Sequence, residues 1–282
     1  MNYPAWHEHY ERGVPQTIEI PDIPIYEVLR RSARDFPNKT ALRLILRYLP
    51  LRLAVGCTMT YAQYDQASDR FAAALHKLGV RQNDRVAIML PNIPQQAIAY
   101  YGVLKAGAIV VNTNPTYTAR ELQFQLADSG AETIITLTGI YKRVQEARKD
   151  TNLKRIITTD IVDCLPIHWR LLAARKIRST GLMADLEPAP DLYDFYKLIK
   201  SSPAQAPSVA YDPDNVVLFQ YTGGTTGVPK AAMLTHRNVT SNVKQIRAWL
   251  HSIEQGKEKI LGTLPYFHVY GMTCGLLSAP EL

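Results

Sequence analysis

The densest chemistry in the chain lies in Thr222-Gly223-Gly224-Thr225-Thr226-Gly227-Val228-Pro229-Lys230. Glycines at Gly223, Gly224 and Gly227 let the backbone curl tightly and aim successive N–H groups into one concavity. Thr222, Thr225 and Thr226 add hydroxyl donors, and Lys230 adds a compact positive charge. A polyphosphate needs many donors at once, and such a loop supplies them. A plain surface turn between strands requires neither the hydroxyls nor the lysine. Two familiar phosphate loops are excluded. The P-loop needs Gly-Lys followed by Ser or Thr, whereas Lys230 lies between Pro229 and Ala231. The dinucleotide fingerprint needs its glycines to open a helix, and residues 231–234 read as extended.

Other reactive side chains are more isolated. His268 lies in Pro265-Tyr266-Phe267-His268-Val269-Tyr270-Gly271, and a single histidine in an apolar run reads, on residue type alone, as a hydrogen-bonded core residue. His7 and His9 alternate around Glu8 near the chain start, which reads as solvent-exposed rather than metal-binding. His236 follows the helix cap Thr235 and reads as structural. Cys57, Cys164 and Cys274 are odd in number, far apart and without metal-ligand spacing, as expected of reduced thiols in a cytoplasmic protein. No metal centre is expected.

The elements that must position the loop alternate between helical and extended patterns. Ile25, Val28, Leu29, Ala33 and Phe36 share a helical face ended by Pro37, and residues 42–46 and 55–59 read as short strands. The apolar connection 47–54 between them has no clear assignment. Thr60 caps a helix running to Leu78, and Thr118 with Glu121 forms a capping box for a helix ending near Gly130. Residues 85–90, 108–111, 133–137 and 155–158 read as buried strands separated by helices at 95–106 and 141–149. That alternation predicts a parallel sheet covered on both faces. A proline-rich polar stretch over 187–213 reads as a boundary, followed by a strand at 216–221 and a Thr235-capped helix with Val239, Val243, Ile246 and Leu250 inward.

The composition agrees with a folded α/β protein. Of 282 residues, 46% are hydrophobic and 20% charged, which excludes a disordered, collagen-like or disulfide-stapled chain. The N-terminal residues lack the basic and apolar regions of a signal peptide, and the uncharged stretches at 86–104 and 260–280 are broken by prolines and polar residues, unlike a bilayer span. The net charge of +7 permits attraction to phosphates or to an anionic membrane surface. Residues 165–178 are locally basic, but their cations scatter around the helix, so a solvated insertion is expected there and peripheral membrane contact is the second reading.

The loop YTGGTTGVPK with the following AAMLTHRN closely resembles the phosphate-binding motif of the adenylate-forming enzymes, the superfamily of acyl-CoA synthetases, luciferases and peptide-synthetase adenylation domains. With Gln220 and Tyr221 before it, the loop looks most like that of the long-chain fatty-acid–CoA ligases. The segments GVPQTIEIPDIPIYEVL, NTNPTYTARELQFQLADSGA and LPYFHVYGM are similar too, in the same order, so the resemblance covers essentially the whole chain. Ala231 is a departure, since the family usually has Gly there.

The resemblance implies an α/β fold, the doubly wound sheet layers of the N-terminal domain of those enzymes, stopping within the second α/β subdomain. Residues 1–205 would form the first subdomain and 206–282 the start of the second, carrying the phosphate loop. It also implies ATP-dependent activation of a fatty acid to an acyl-adenylate and then to acyl-CoA, with ATP, Mg2+ and coenzyme A taking part and no nucleic acid. Tyr221, Thr222, Gly223, Gly224, Thr225, Thr226, Gly227 and Lys230 would bind the nucleotide, and His268 and Gly271 would line the substrate pocket. The family's later adenine, ribose and C-terminal lysine motifs have no counterpart in this sequence. No complete catalytic set is therefore expected, activity of the chain alone is doubtful, and exposed apolar surface is expected around 216–234 and 261–277. The competing reading is a non-catalytic nucleotide- or acyl-binding module.

Overall fold

The computed structural model describes residues 4–223 and 229–282. Helix α1 (Glu27–Asp35) leads into a hairpin of β1 (Thr40–Tyr48) and β2 (Ala54–Thr60), and α2 (Tyr61–Lys77) follows. Strands and helices then alternate: β3 (Arg85–Met89), α3 (Pro94–Lys105), β4 (Ile109–Asn112), α4 (Ala119–Ser129), β5 (Thr133–Leu137) and α5 (Tyr141–Ala147). The series continues with β6 (Arg155–Thr159), α6 (Ile167–Ser179), β7 (Leu192–Asp194), α7 (Phe195–Lys200), β8 (Val216–Thr222), β9 (Lys230–Thr235) and α8 (His236–Trp249).

Local chemistry starts several of these helices. Thr60 accepts the Gln63 N–H at 3.3 Å while the Gln63 side chain accepts the Thr60 N–H at 2.9 Å. Thr118 with Glu121, and Thr235 with Asn238, repeat this reciprocal pairing for α4 and α8. Each box satisfies two of the N–H groups that a helix start leaves unpaired.

The main sheet has the order β7-β6-β5-β3-β4-β8-β9, with β3 through β8 parallel to their neighbours and only β9 antiparallel. Its construction is doubly wound. From β3 the chain steps one way to β4, then crosses back to β5 and on to β6. Right-handed crossovers in opposite directions put α3 on one face and α4 and α5 on the other. Helix α2 packs on α1, α3 and α7, whereas α4 packs on α5. Because both faces are covered, the strand residues of β4 and β5 are all buried, which explains their continuous apolar runs.

Every residue of α3 is buried, between the sheet and α2. At Gly102 a Cβ would stand 2.7 Å from Phe71 of α2, so the helices approach as closely as they do only because no side chain intervenes. One charge is buried with them. Lys105 Nζ donates to Asp65 Oδ1 at 2.5 Å, Asp69 Oδ1 at 2.7 Å and Ser68 Oγ at 2.8 Å. A buried ammonium is tolerable only when carboxylates and a hydroxyl replace its water in this way.

Three expectations need correction. The proline-rich stretch 187–213 is not a linker throughout, because residues 192–194 form β7 against β6 and 195–200 form α7. Phe195 and Ile199 are buried and the Asp194 carboxylate accepts the Lys197 N–H at 2.7 Å, so a cap and two apolar anchors outweigh the prolines around them. Exposure around 261–277 is confined to its first half: Leu261, Leu264, Val269 and Tyr270 are exposed, but Met272, Leu276 and Leu277 are buried, and their segment packs against α8. Leu250 lies just past the end of α8 and is exposed, not inward. Across the 205/206 division the chain returns to the same sheet, since β8 pairs with β4 through Val110–Leu218 and Val111–Phe219.

Candidate nucleotide and acyl site

The carboxyl ends of β3, β4 and β8 meet at one edge of the sheet, next to the point where successive crossovers turn in opposite directions. In open α/β sheets that edge is where ligands bind. β8 ends at Thr222 and β9 begins at Lys230, and these two residues are register partners. The hairpin thus holds the Thr222 hydroxyl and the Lys230 ammonium, both exposed, at the two feet of the glycine–threonine loop. Gly223 is exposed as well, and a Cβ there would meet no atom within 4 Å. The foot of the loop therefore faces open space. Gly224, Thr225, Thr226 and Gly227 lie outside the described residues.

Tyr221 anchors the hairpin to α4, its phenol donating to Asp128 Oδ2 at 2.6 Å. Burial first, and the Asp128 carboxylate second, hold that phenol well above the ordinary tyrosine range, so it stays a donor. Gln220 points to the opposite side, into the protein. Its Oε1 accepts from Asn112 Nδ2 at 2.9 Å and its Nε2 donates to the Phe267 carbonyl at 3.2 Å. Asn112 Nδ2 also reaches Met272 Sδ at 3.2 Å, and the Tyr100 hydroxyl reaches the same sulfur at 3.0 Å. Gln125 Nε2 on α4 closes the set on the Asn112 carbonyl at 2.9 Å.

A second clamp comes from Asn92, three residues past the end of β3. Its Nδ2 donates to the Gly262 and Leu264 carbonyls at 3.0 and 2.7 Å, and its Oδ1 accepts the Tyr266 N–H at 2.8 Å. Neither Asn92 nor Asn112 was singled out from sequence. The available signal was position: Asn112 ends β4 and Asn92 lies three residues past β3, both polar residues at the ligand-binding edge of a parallel sheet.

His268 follows Phe267 and is exposed, not buried in a core. Its Nδ1 accepts the Tyr270 N–H at 3.3 Å, so the neutral ring carries its proton on Nε2. Gly271 opens a π-helical turn over Gly271–Leu277. A Cβ there would stand 2.3 Å from the Pro265 carbonyl oxygen, so only glycine lets that turn lie against the preceding backbone. The other histidines fall away from this edge. His236 is buried at the start of α8, where its Nδ1 accepts the Ile25 N–H at 3.2 Å. His7 stacks edge-on with Trp6 and Tyr10. Among the described residues no group of three or more His, Cys, Asp or Glu side chains is placed to hold a metal, and no helix is long and apolar enough to cross a membrane.

A doubly wound sheet whose β8 and β9 present Thr222 and Lys230 at its carboxyl edge is an α/β fold of the kind that takes ligands at that edge. The chain belongs to the AMP-binding enzyme family, whose model matches residues 29–279. It is 35% identical over 270 residues to a long-chain-fatty-acid–CoA ligase of Bacillus subtilis, covering 95% of this chain and 46% of that protein. It is 32% identical over 234 residues to 4-coumarate–CoA ligase 2 of Petroselinum crispum, covering 79% and 37%. Among solved structures, a long-chain-fatty-acid-CoA ligase of Archaeoglobus fulgidus superposes with a TM-score of 0.74 at 22% identity, over 96% of this chain and 48% of that one. The N-terminal domain of FACL13 from Mycobacterium tuberculosis, solved with an inhibitor, gives 0.63 at 26% identity over 91% and 55%. The chain spans about half the length of the curated relatives it matches.

Proposed function

We propose that this chain supplies the ATP-phosphate and acyl-carboxylate binding portion of an ATP-dependent fatty acyl-CoA ligase. In that reaction a fatty-acid carboxylate attacks the α-phosphate of ATP and pyrophosphate leaves. The thiol of coenzyme A then displaces AMP from the acyl-adenylate. The first step calls on the protein for positioning and charge stabilisation. Thr222 through Gly227 would hold the departing phosphates with backbone N–H groups and hydroxyls, Tyr221 would fix the strand that carries them, and Lys230 would offset part of their charge. His268 would donate from Nε2 toward the carboxylate, with the backbone at Gly271 lining the acyl side.

The observation that carries this reading is the Gln220 side chain. It ties the strand entering the phosphate loop to the carbonyl of Phe267, next to His268. Two segments 47 residues apart are thereby held as one unit, as a reaction between a phosphate and a carboxylate demands. Mg2+ would arrive with ATP. The Asp128 carboxylate beside the loop already accepts from Tyr221, and the described residues offer no metal cluster, so no step is assigned to an ion held by this chain.

Fatty-acid-dependent exchange of labelled pyrophosphate into ATP tests the reading, with direct binding of ATP measured on the same sample. Exchange with a defined acid preference supports adenylation by this chain. ATP binding without exchange supports the role of a binding portion that lacks its catalytic complement. A folded sample that binds neither ATP nor a fatty acid overturns the proposal.

A further inference from the structure

Residues 10–26 form neither helix nor strand. Contacts with the end of the chain's second half nonetheless fix their course. The Tyr10 ring lies 5.1 Å from that of Trp249, at the end of α8. A Cβ at Gly13 would stand 2.8 Å from the His251 ring. Asp22 Oδ1 accepts from the Tyr211 hydroxyl at 2.9 Å, and the Ile25 N–H donates to His236 Nδ1 at 3.2 Å. Between Val14 and Ile25 no side chain is fully buried, so the stretch depends on its end anchors and on these bonds.

Both bonds grip the base of the β8–β9 hairpin, at the opposite end from the glycine–threonine loop. Tyr211 lies five residues before β8, and His236 directly follows β9. The backbone joins the two places: the His236 N–H donates to the Asn215 carbonyl at 3.2 Å and the Arg237 N–H to that of Pro213 at 2.8 Å. The ladder that holds the hairpin to the parallel sheet is short. β8 meets β4 through Val110–Leu218 and Val111–Phe219, whereas β5 and β6 pair from Thr133–Arg155 to Leu137–Thr159. The irregular segment therefore ties the base of the hairpin, as the Gln220 amide ties its loop end.

His236 can make its bond only while its ring is neutral. An imidazolium carries hydrogen on both nitrogens and accepts on neither, so a protonated ring would turn an N–H toward the N–H of Ile25. The ring is buried at the first residue of α8, where the helix dipole also opposes a positive charge. The Tyr26 ring faces it edge-on at 6.1 Å and the Tyr211 ring at 5.5 Å. Glu27 and Arg30 lie by Tyr26, Asp22 and Asp212 lie by Tyr211, and Arg237 pairs with Asp214. None of these charges offsets burial, which holds the ring below its ordinary range.

We propose that residues 10–26 are a strap over the base of the β8–β9 hairpin, and that a proton on His236 releases it. On release the charged ring turns to water and Ile25 leaves the hairpin, while α2, α3 and the parallel strands stay folded. The strap involves no nucleotide chemistry, so its release is tested apart from the proposed function.

The test is hydrogen exchange of the full chain at pH 7 and at about pH 4.5, with each amide's protection taken relative to unstructured peptide at the same pH. Protection of the Ile23 and Ile25 amides should fall about tenfold or more at the lower pH, with little change in α2 and α3. His236→Asn keeps an acceptor near the place of Nδ1 that does not titrate, and should abolish the pH dependence. Tyr211→Phe leaves the histidine in place and removes an exposed bond, so it should lower the same protection several-fold at both pH values. Wild type and Tyr211→Phe decide the matter where His236→Asn does not fold. Protection at Ile25 that ignores pH, an equal loss in His236→Asn, or no loss in Tyr211→Phe overturns the proposal. So does a loss shared by the amides of α2 and α3, which would mean that the whole chain opens and not the strap.

Discussion

Gln220 Nε2 donates to the carbonyl of Phe267 across 3.2 Å, while its Oε1 accepts from Asn112 at 2.9 Å. A single buried amide thus joins the strand leading into the glycine–threonine loop, the neighbouring parallel strand and the backbone beside His268. Gln220→Ala should lower unfolding stability by about 1–3 kcal/mol, because Asn112 loses its acceptor and the Phe267 carbonyl its donor. Urea denaturation measures the loss. Hydrogen exchange should locate it, with faster exchange over 266–270; uniform protection there would show that Gln220 is not the tie.

Asn92 acts on a more exposed segment, so its loss should be local. Asn92→Ala removes the side chain that binds Gly262, Leu264 and Tyr266. Limited proteolysis within 258–266 should accelerate several-fold while the global unfolding midpoint moves little, since that segment carries few buried side chains. A large drop in the midpoint with unchanged cleavage would contradict this division.

Two buried groups should bend the stability profile in opposite directions with pH. Burial holds the His236 ring at about 4, below its ordinary 6.5. Between those values the unfolded chain takes a proton that the folded chain refuses, so stability falls as pH drops from 6.5 toward 4, by about 3 kcal/mol in all. Burial pushes the Asp160 carboxyl up to about 6 from 3.8, against the pull of its Thr138 hydrogen bond. The folded chain therefore binds that proton first, and stability rises as pH falls from 6 toward 3.8. His236→Gln should flatten the first dependence and Asp160→Asn the second, in thermal melts across pH 4–7. Parallel profiles for wild type and both variants would rule out these assignments.

Lys105 offers the largest single effect on stability. Lys105→Met would leave Asp65 without a cation and Asp69 with only the Arg30 guanidinium at 3.7 Å, and should cost about 3–5 kcal/mol. Methionine nearly matches the lysine in length, so packing changes little. A loss below about 1 kcal/mol would mean the carboxylates simply turn out to water.

Lys230→Ala probes the proposed nucleotide site, because Lys230 is exposed and its side chain makes no hydrogen bond or ion pair among the described residues. ATP affinity should fall about tenfold or more while the unfolding midpoint stays put. Unchanged affinity would remove Lys230 from the phosphate site.

Much of the fold was legible because its signals are local. The capping box at Thr118–Glu121, the helix cap at Thr235, and the apolar runs of β3 and β5 are each contained within a few residues. Residues 192–200 were misjudged because composition is an average. Prolines and polar residues dominate the stretch, yet Phe195 and Ile199 find a core that no local pattern reveals. The loop residues of the proposed site were chosen by types and spacing alone, which are local in the same way as the caps. The side chains that hold the site together were not, because an asparagine such as Asn92 gains meaning only from carbonyls about 170 residues away.

By itself, then, the sequence determined the alternation of strands and helices, the donor-rich loop and its flanking lysine, since periodicity, capping and residue type act at short range. The tertiary structure alone decided that β8 would join β4, so that Gln220, two residues before the end of β8, meets Asn112 and the carbonyl of Phe267. It also decided that Ile167, Leu171 and Leu172 of α6 would be exposed. The reason is physical. Which strand pairs with which, and which face of a helix is buried, depend on the total apolar area removed from water and on the pairing of every buried polar group, quantities that belong to the whole chain and to no segment of it.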